Sequence, residues 1–295
     1  MKKLIITIAL FVVMSGMYAS AQGKHEFSFY GSGGLSTLSY KLSSGNVSSG
    51  FGGEFGVGYT FYRTKVRLVK TGTIFREYWG IIHTGIGLSV YNTNAKLDNM
   101  ESNATNLRDS EGDIFDLKIT FSDYNEAQEV IFLTIPVMML FQIDPFYIMC
   151  GVKAGIPISG KHKLKDGTLT NVAYYHEYEN WAETQTFAGY GSFRSKGFGG
   201  DLDLGPSMML ALEASIRRKL NDNFSLYSGV YFDYGLNNIS KGENKKFINY
   251  IANNAGNFTT NSVLASYVDD SNSTTFTDKV NTMAVGIKLR LAFKK

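Results

Sequence analysis

Cysteine is almost missing from this chain. One thiol, Cys150, stands among 295 residues, which excludes an intrachain disulfide and a cysteine-based zinc site. Proline is scarce, at 4 residues, and beyond the N-terminus no stretch approaches ~20 consecutive apolar residues, so helical membrane spans are excluded. No cysteine stands directly after the N-terminal apolar stretch, so no bacterial lipoprotein anchor is expected there. A strong charge of either sign is lacking too. The formal charge of +3 falls to +1 once Lys2 and Lys3 are removed with a leader. So slight an excess argues against a nucleic-acid partner, which needs a concentrated basic face.

The leader is read from its three parts. Lys2 and Lys3 are basic, Leu4 to Val13 are apolar, and Ala19-Ser20-Ala21 offers small residues to a signal peptidase. Residues 1–21 are therefore expected to be a signal peptide and 22–295 a single domain. That domain is rich in glycine (31 residues) and in aromatic side chains (14%), which suits a β-protein packing aromatics against lipid.

Period-two alternation is the main signal, because successive side chains on a strand point to opposite faces. Phe51, Phe55, Val57, Tyr59 and Phe61 alternate with Gly52, Glu54, Gly56, Gly58 and Thr60. Met283, Val285, Ile287, Leu289, Leu291 and Phe293 alternate with Thr282, Ala284, Gly286, Lys288, Arg290 and Ala292. Leu202, Leu204, Met208, Leu210 and Leu212 are read the same way against Asp203, Gly205, Ser207 and Glu213. The apolar faces carry no charge. The other faces hold Gly, Ser and Tyr with isolated charges, which suits a crowded lumen better than a water-facing sheet.

The fold class expected is all-β: an antiparallel transmembrane β-barrel with long extracellular loops. Eight strands are placed at about 26–40, 50–62, 77–91, 127–142, 146–160, 202–219, 224–238 and 279–293. Ten is the alternative count, because 114–121 also alternates. Ile143-Asp144-Pro145 and 220–223 are short enough to be periplasmic turns. Segments 92–126, 161–201 and 239–278 are long enough to be extracellular. The connection 63–76 is long for a periplasmic one. Pro136, Pro157 and Pro206 fall inside strands, where bulges or strand ends must absorb the lost donors. On this register Cys150 faces lipid with Ile148, Val152 and Ala154. Gly286 faces inward, so a small polar replacement such as Ser is expected to be milder there than Arg at lipid-facing Ile287.

The run Val130-Ile131-Phe132-Leu133-Thr134-Ile135-Pro136-Val137, then Phe146 to Gly155 after a tight turn, resembles the "YLEIPL"-type strand of small Bacteroidetes outer-membrane barrels. That group is called PorT-like or OmpA-like. Thr134 stands where those proteins often carry Glu, and Lys294 and Lys295 follow the final aromatic Phe293. The resemblance implies an integral protein of the cell outer membrane in contact with its lipid, and permits partnership with envelope or secretion-machinery proteins. No peptidoglycan-binding domain is expected after the last strand.

Chemistry is sparse. No His has Ser two residues on, as lipid A deacylase barrels do, and His176-Glu177-Tyr178-Glu179-Asn180 lacks the second His of a zincin helix. His83 falls on the lumen face. Glu54, Lys153, Glu213, Arg217, Asp233, Lys288 and Arg290 are mixed in sign and are expected to neutralise one another inside a narrow barrel. Tyr174, Tyr175, Tyr178 and Trp181, in the third extracellular loop, either order that loop or form a binding surface for glycan or protein. No catalytic residue, metal site or cofactor is expected. A structural, surface-binding or envelope-assembly role is expected, with a barrel enzyme acting on lipid or surface protein, or a small pore, as alternatives.

Overall fold

A computed structural model describes residues 24–294 apart from 63, 69–73, 144, 195–198, 242–244, 251–257, 268–274 and 278. The leader lies outside the described residues. Eight long strands carry the fold: β1 (Lys24–Ser39), β2 (Phe51–Tyr62), β3 (Ile74–Lys96), β4 (Ile114–Ile143), β5 (Phe146–Tyr175), β6 (Ser207–Lys219), β7 (Phe224–Gly235) and β8 (Asn281–Lys294). Each pairs antiparallel with the next in sequence, and β8 pairs with β1 from Glu26↔Lys294 to Ser39↔Asn281. The sheet therefore closes on itself and has no edge at membrane depth. The ten-strand alternative is wrong. Residues 114–121 belong to the same continuous strand as 127–142 and lengthen a hairpin rather than adding a pair.

Alternation decides which way each strand faces. Phe29, Phe55, Val57, Met139, Ile148, Val152, Ile287 and Leu289 are exposed on the outside. Glu54, Thr60, Lys153, Glu213, Lys288 and Arg290, on the opposite parity, are buried inside. On β4 the outward apolar side chains run from Phe141 to Ile131. Ten residues at ~3.3 Å each is ~33 Å of strand, or ~25 Å of height at a tilt of ~40°. That is the thickness of the apolar band of an outer-membrane barrel. Aromatic rings gird its lower end, with Phe224 and Phe293 at 5.0 Å and Phe27 and Tyr59 at 5.1 Å. No helix among the described residues is long and apolar enough to cross a membrane; the strands do so. A closed barrel with a lipid-facing apolar band is an integral outer-membrane β-barrel.

The prolines interrupt the ladder where it can spare a donor. Pro157 sits beside a bulge in which Ile158 is extra, and Pro206 precedes β6. Pro136 falls at a gap in the β3–β4 ladder, between the pairs Thr84↔Val137 and Gly87↔Thr134. Pro206 also corrects the expected register. The strand begins only after it, so Leu202 and Leu204 are buried in the extracellular core, not lipid-facing with Met208.

Two of the long connections, 92–126 and 161–201, are not mostly loop. β4 and β5 have 30 residues each, so their hairpin stands well above the band. Met100–Arg108 pairs with the upper part of β4, and 180–182, 191–194 and 199–201 pair with β5. At the opposite end Thr64–Leu68 pairs with the start of β3, making the connection after β2 a short hairpin.

Candidate functional site: lumen and extracellular surface

The lumen is filled in three layers. In the middle layer Lys153 Nζ lies 2.8 Å from Glu54 Oε2 and 2.6 Å from Asp233 Oδ2. Thr134 donates its hydroxyl to Glu54 Oε1 at 2.6 Å. Lys288 pairs with Glu213 at 3.0 Å and lies 4.4 Å from the centre of the Tyr30 ring. Glycine makes room for that ring: a Cβ on Gly87 would sit 2.5 Å from the Tyr30 hydroxyl. Below this layer, Arg290 lies 4.3 Å from the centre of the Tyr227 ring, among Tyr62, Tyr147, Met138 and Met149. Tyr227 donates its hydroxyl to Glu26 Oε2 at 3.1 Å. His83 is buried beside Thr60, with Nδ1 to Oγ1 at 2.8 Å.

Six of the seven charges expected in the lumen are buried there. The seventh, Arg217, is half-buried at the periplasmic end, where its Nε and Nη2 donate to Ser225 Oγ at 3.2 Å. It corrects the expectation of a seven-member network, because the inward parity of β6 leaves the filled lumen before reaching it. Glu26 is a further inward carboxylate, buried like the other six charges. Its signal was available, since His25, Phe27 and Phe29 alternate with it.

The upper layer is apolar and extends above the membrane. Phe247 packs 5.2 Å from Tyr124 and 4.9 Å from Phe276, ring centre to ring centre. Val263 and Leu264 are buried in the same cluster. One carboxylate holds this cap. Glu126, fully buried, accepts from the hydroxyls of Tyr124 and Ser262, from Gln128 Nε2 at 2.8 Å and from the Val263 N–H at 3.2 Å.

The four aromatics expected to act together are separated. Tyr174 and Trp181 are cross-strand partners on the outer face of the extracellular sheet, with ring centres 4.9 Å apart. Tyr175 points the other way. Its ring stacks on Phe115 and its hydroxyl lies 2.8 Å from that of Tyr190. Tyr178 is exposed at the tip and donates to Asp113 Oδ2 at 3.1 Å, a bond that raises its pKa. Adjacent residues of one strand cannot share a face, so the patch expected from composition divides into an outer platform and an inner clamp.

Sequence reading did not foresee the contact of Asp116 with His176, distant in the chain. They meet on the outer face at 3.1 Å between Oδ2 and Nε2. The Asn106 N–H, at 2.9 Å, and then His176 hold the Asp116 carboxyl below its ordinary pKa. Among the described residues no group of three His, Cys, Asp or Glu is placed to hold a metal ion.

No protein-family model matches the chain, and no curated protein matches it. Among solved structures it is similar to Neisserial surface protein A (NspA), at 9% identity over 90% of this chain and 95% of that one, with a TM-score of 0.28. It is also similar to Ail, the attachment invasion locus protein of Yersinia pestis, in complex with the heparin analogue sucrose octasulfate. There the identity is 9% over 92% and 99% of the two chains, with a TM-score of 0.25. The outer membrane protease OmpT from Escherichia coli gives 10% over 92% and 94%, with a TM-score of 0.24. Such distant likenesses assign no residue role here, and the architecture rests on the closed ring of strands and its lipid-facing band.

Proposed function

We propose that this protein is a non-enzymatic outer-membrane barrel whose β4–β5 hairpin presents a binding surface above the membrane. The observation that carries this reading is the length of β4 and β5, 30 residues each, against the ten or so the membrane needs. A filled lumen supports it against the pore. A PorT-like role beside a secretion machine is the finer form of the same reading, and its support is the resemblance of residues 130–155 alone.

The test is photo-crosslinking in living cells. A crosslinker at Val172, on the outer face of the hairpin, is expected to capture envelope or surface partners. Capture only from the periplasmic hairpin, 64–78, would overturn the surface reading in favour of assembly from the periplasm.

The Asp116–His176 pair favours the barrel enzyme as a second reading, because a carboxylate can orient an imidazole as a base. The pair lies on an open sheet face, with Asp116 at 33% and His176 at 49% side-chain exposure, and nothing around it excludes water. Peptide or lipid-ester cleavage by the purified barrel, lost in Asp116→Asn, would establish the enzyme.

A further inference from the structure

The outer face of β5 changes its chemistry in a definite order along the strand. Ile148, Val152 and Ile158 are exposed in the apolar band. The band then stops on three strands at one level: Val90 pairs with Ile131, and two residues further Asn92 pairs with Glu129 and Glu129 with Lys161. Lys161, Lys163 and Lys165 follow on the outward face, two residues apart and so ~6.6 Å from one another. A hollow of about 520 Å³ surrounds the first two, lined also by Asn92, Glu129, Gly199 and Asp201. Lys161 and Lys163 form no ion pair among the described residues, while Lys165 donates to Asn94 Oδ1 at 2.7 Å. Within the hollow Lys161 and Lys163 face Glu129 and Asp201, so it is neutral overall and holds two ammonium groups that no carboxylate among the described residues has taken.

Above it lies a second hollow of about 820 Å³, lined among others by Lys96, Asp98, Asp123, Asn125, Asp166 and Arg194. Arg194 is committed to Asp166 through two bonds, of 3.2 and 2.9 Å. The Asn125 side-chain oxygen, shielded in the wall, has no donor. Its two cations stand against three carboxylates, so with its amides this hollow suits neutral hydroxyl groups rather than a second anion. At the top stands the Tyr174–Trp181 platform, half of Trp181 exposed (50%). Flat aromatic faces pack against the C–H faces of sugar rings. From Lys161 to Tyr174 the track runs 13 residues, or ~40 Å.

We propose that this face docks an anionic glycolipid of the outer leaflet. Acyl chains lie against Ile148, Val152 and Ile158, a phosphorylated amino-sugar headgroup lies at Lys161 and Lys163, and its glycan runs upward through the larger hollow to Trp181. Glu129 and Asp201 accept from the headgroup's amide and hydroxyl groups, while the lysines take its phosphates as point charges. The order of apolar, cationic, polar and aromatic surface on one strand face is the order of chemistries in such a lipid. The inference rests on the reading of the hairpin's outer face as a binding surface, and names the ligand class.

The test uses the full barrel purified in detergent. It is mixed with lipopolysaccharide, with lipid A, or with dephosphorylated lipid A, and retained lipid is read by native mass spectrometry. Retention of lipid A at least tenfold above its dephosphorylated form is expected, and loss of that preference in Lys161→Glu/Lys163→Glu. Trp181→Ala is expected to leave lipid A retention unchanged and to abolish the extra retention that the glycan confers. Heat-modifiable mobility shows that each variant is folded. Equal retention of the two lipid A forms, or an unchanged preference in the double lysine variant, would overturn the proposal. Protein crosslinks from Val172 would survive that result, so the two readings fail separately.

Discussion

Lys153 holds two carboxylates from strands on different sides of the lumen, and both are out of reach of water. Removing its ammonium while keeping its stem, as in Lys153→Met, strands Glu54 and Asp233. Breaking a buried pair from one side costs ~3–5 kcal/mol, because the uncompensated charge remains. The expected loss is read as a lowered urea midpoint for unfolding from lipid vesicles, and should be recovered in part when Glu54→Gln and Asp233→Asn are added. An unchanged midpoint would show that the carboxylates do not depend on Lys153. Asp116 is a gentler case, on the surface. Its carboxylate is favoured by the Asn106 N–H and by His176, so its folded pKa lies below the ordinary ~3.9. Its contribution to stability is present above the unfolded value and is lost as pH falls through the lower, folded one. A carboxyl-carbon NMR titration is expected to place its midpoint below ~3.9. A midpoint at or above that value would contradict the assigned contacts.

At the scale of the strand, inward glycines are set by the neighbouring backbone. A Cβ on inward Gly286 would run into the Gly33 carbonyl of β1, whereas a Cβ on Gly31, exposed on the lipid face of β1, meets nothing within 4 Å. Even a small replacement at Gly286 therefore has a cost, though a lower one than Arg at Ile287. Gly286→Ala is expected to cost ~1–3 kcal/mol through overpacking, while Gly31→Ala is near neutral. Equal unfolding midpoints for the two variants would argue against the β1–β8 register. Ile287, its neighbour, is 65% exposed on the lipid side. Ile287→Arg is expected to cost ~2–4 kcal/mol at the midplane in lipid vesicles, and a cost near zero would put it at an interface. All eight strands were legible because band and lumen alternate with period two, and their limits within the band fall a few residues from those read in the sequence. What lay above the band was not legible. Pairs skip from Ser122↔Thr168 to Asn125↔Asp166, and Asp123 has a φ of 56°, so the inward parity changes there and alternation cannot be carried through. The opposition of Tyr174 to Tyr175 was readable from parity alone, once 168–175 was known to be strand. Asp116 and His176 were not, because only the pairing of β4 with β5 brings them together.

For the whole molecule, the question is whether anything passes through it. An eight-stranded barrel has an interior just wide enough for side chains, and an aqueous channel needs about 16 strands. Here the bottom is packed by Tyr62, Tyr147, Tyr227 and Met149, the middle by the ion pairs of Lys153 and Lys288, and the top by Phe247, Val263 and Leu264 around Glu126. Opening a path means breaking paired buried charges in the middle and also withdrawing the cap above. Each step carries a cost of several kcal/mol, and neither yields a continuous wet surface alone. Purified protein in planar bilayers is therefore expected to give no steady open channel. A variant that weakens only the cap, Glu126→Ala, should remain closed, because the middle layer is untouched. Large, stable single-channel currents from the wild-type chain would mean that the layers do not seal the lumen in the membrane. Currents that appear only in Glu126→Ala would place the barrier at the cap instead of at the ion pairs.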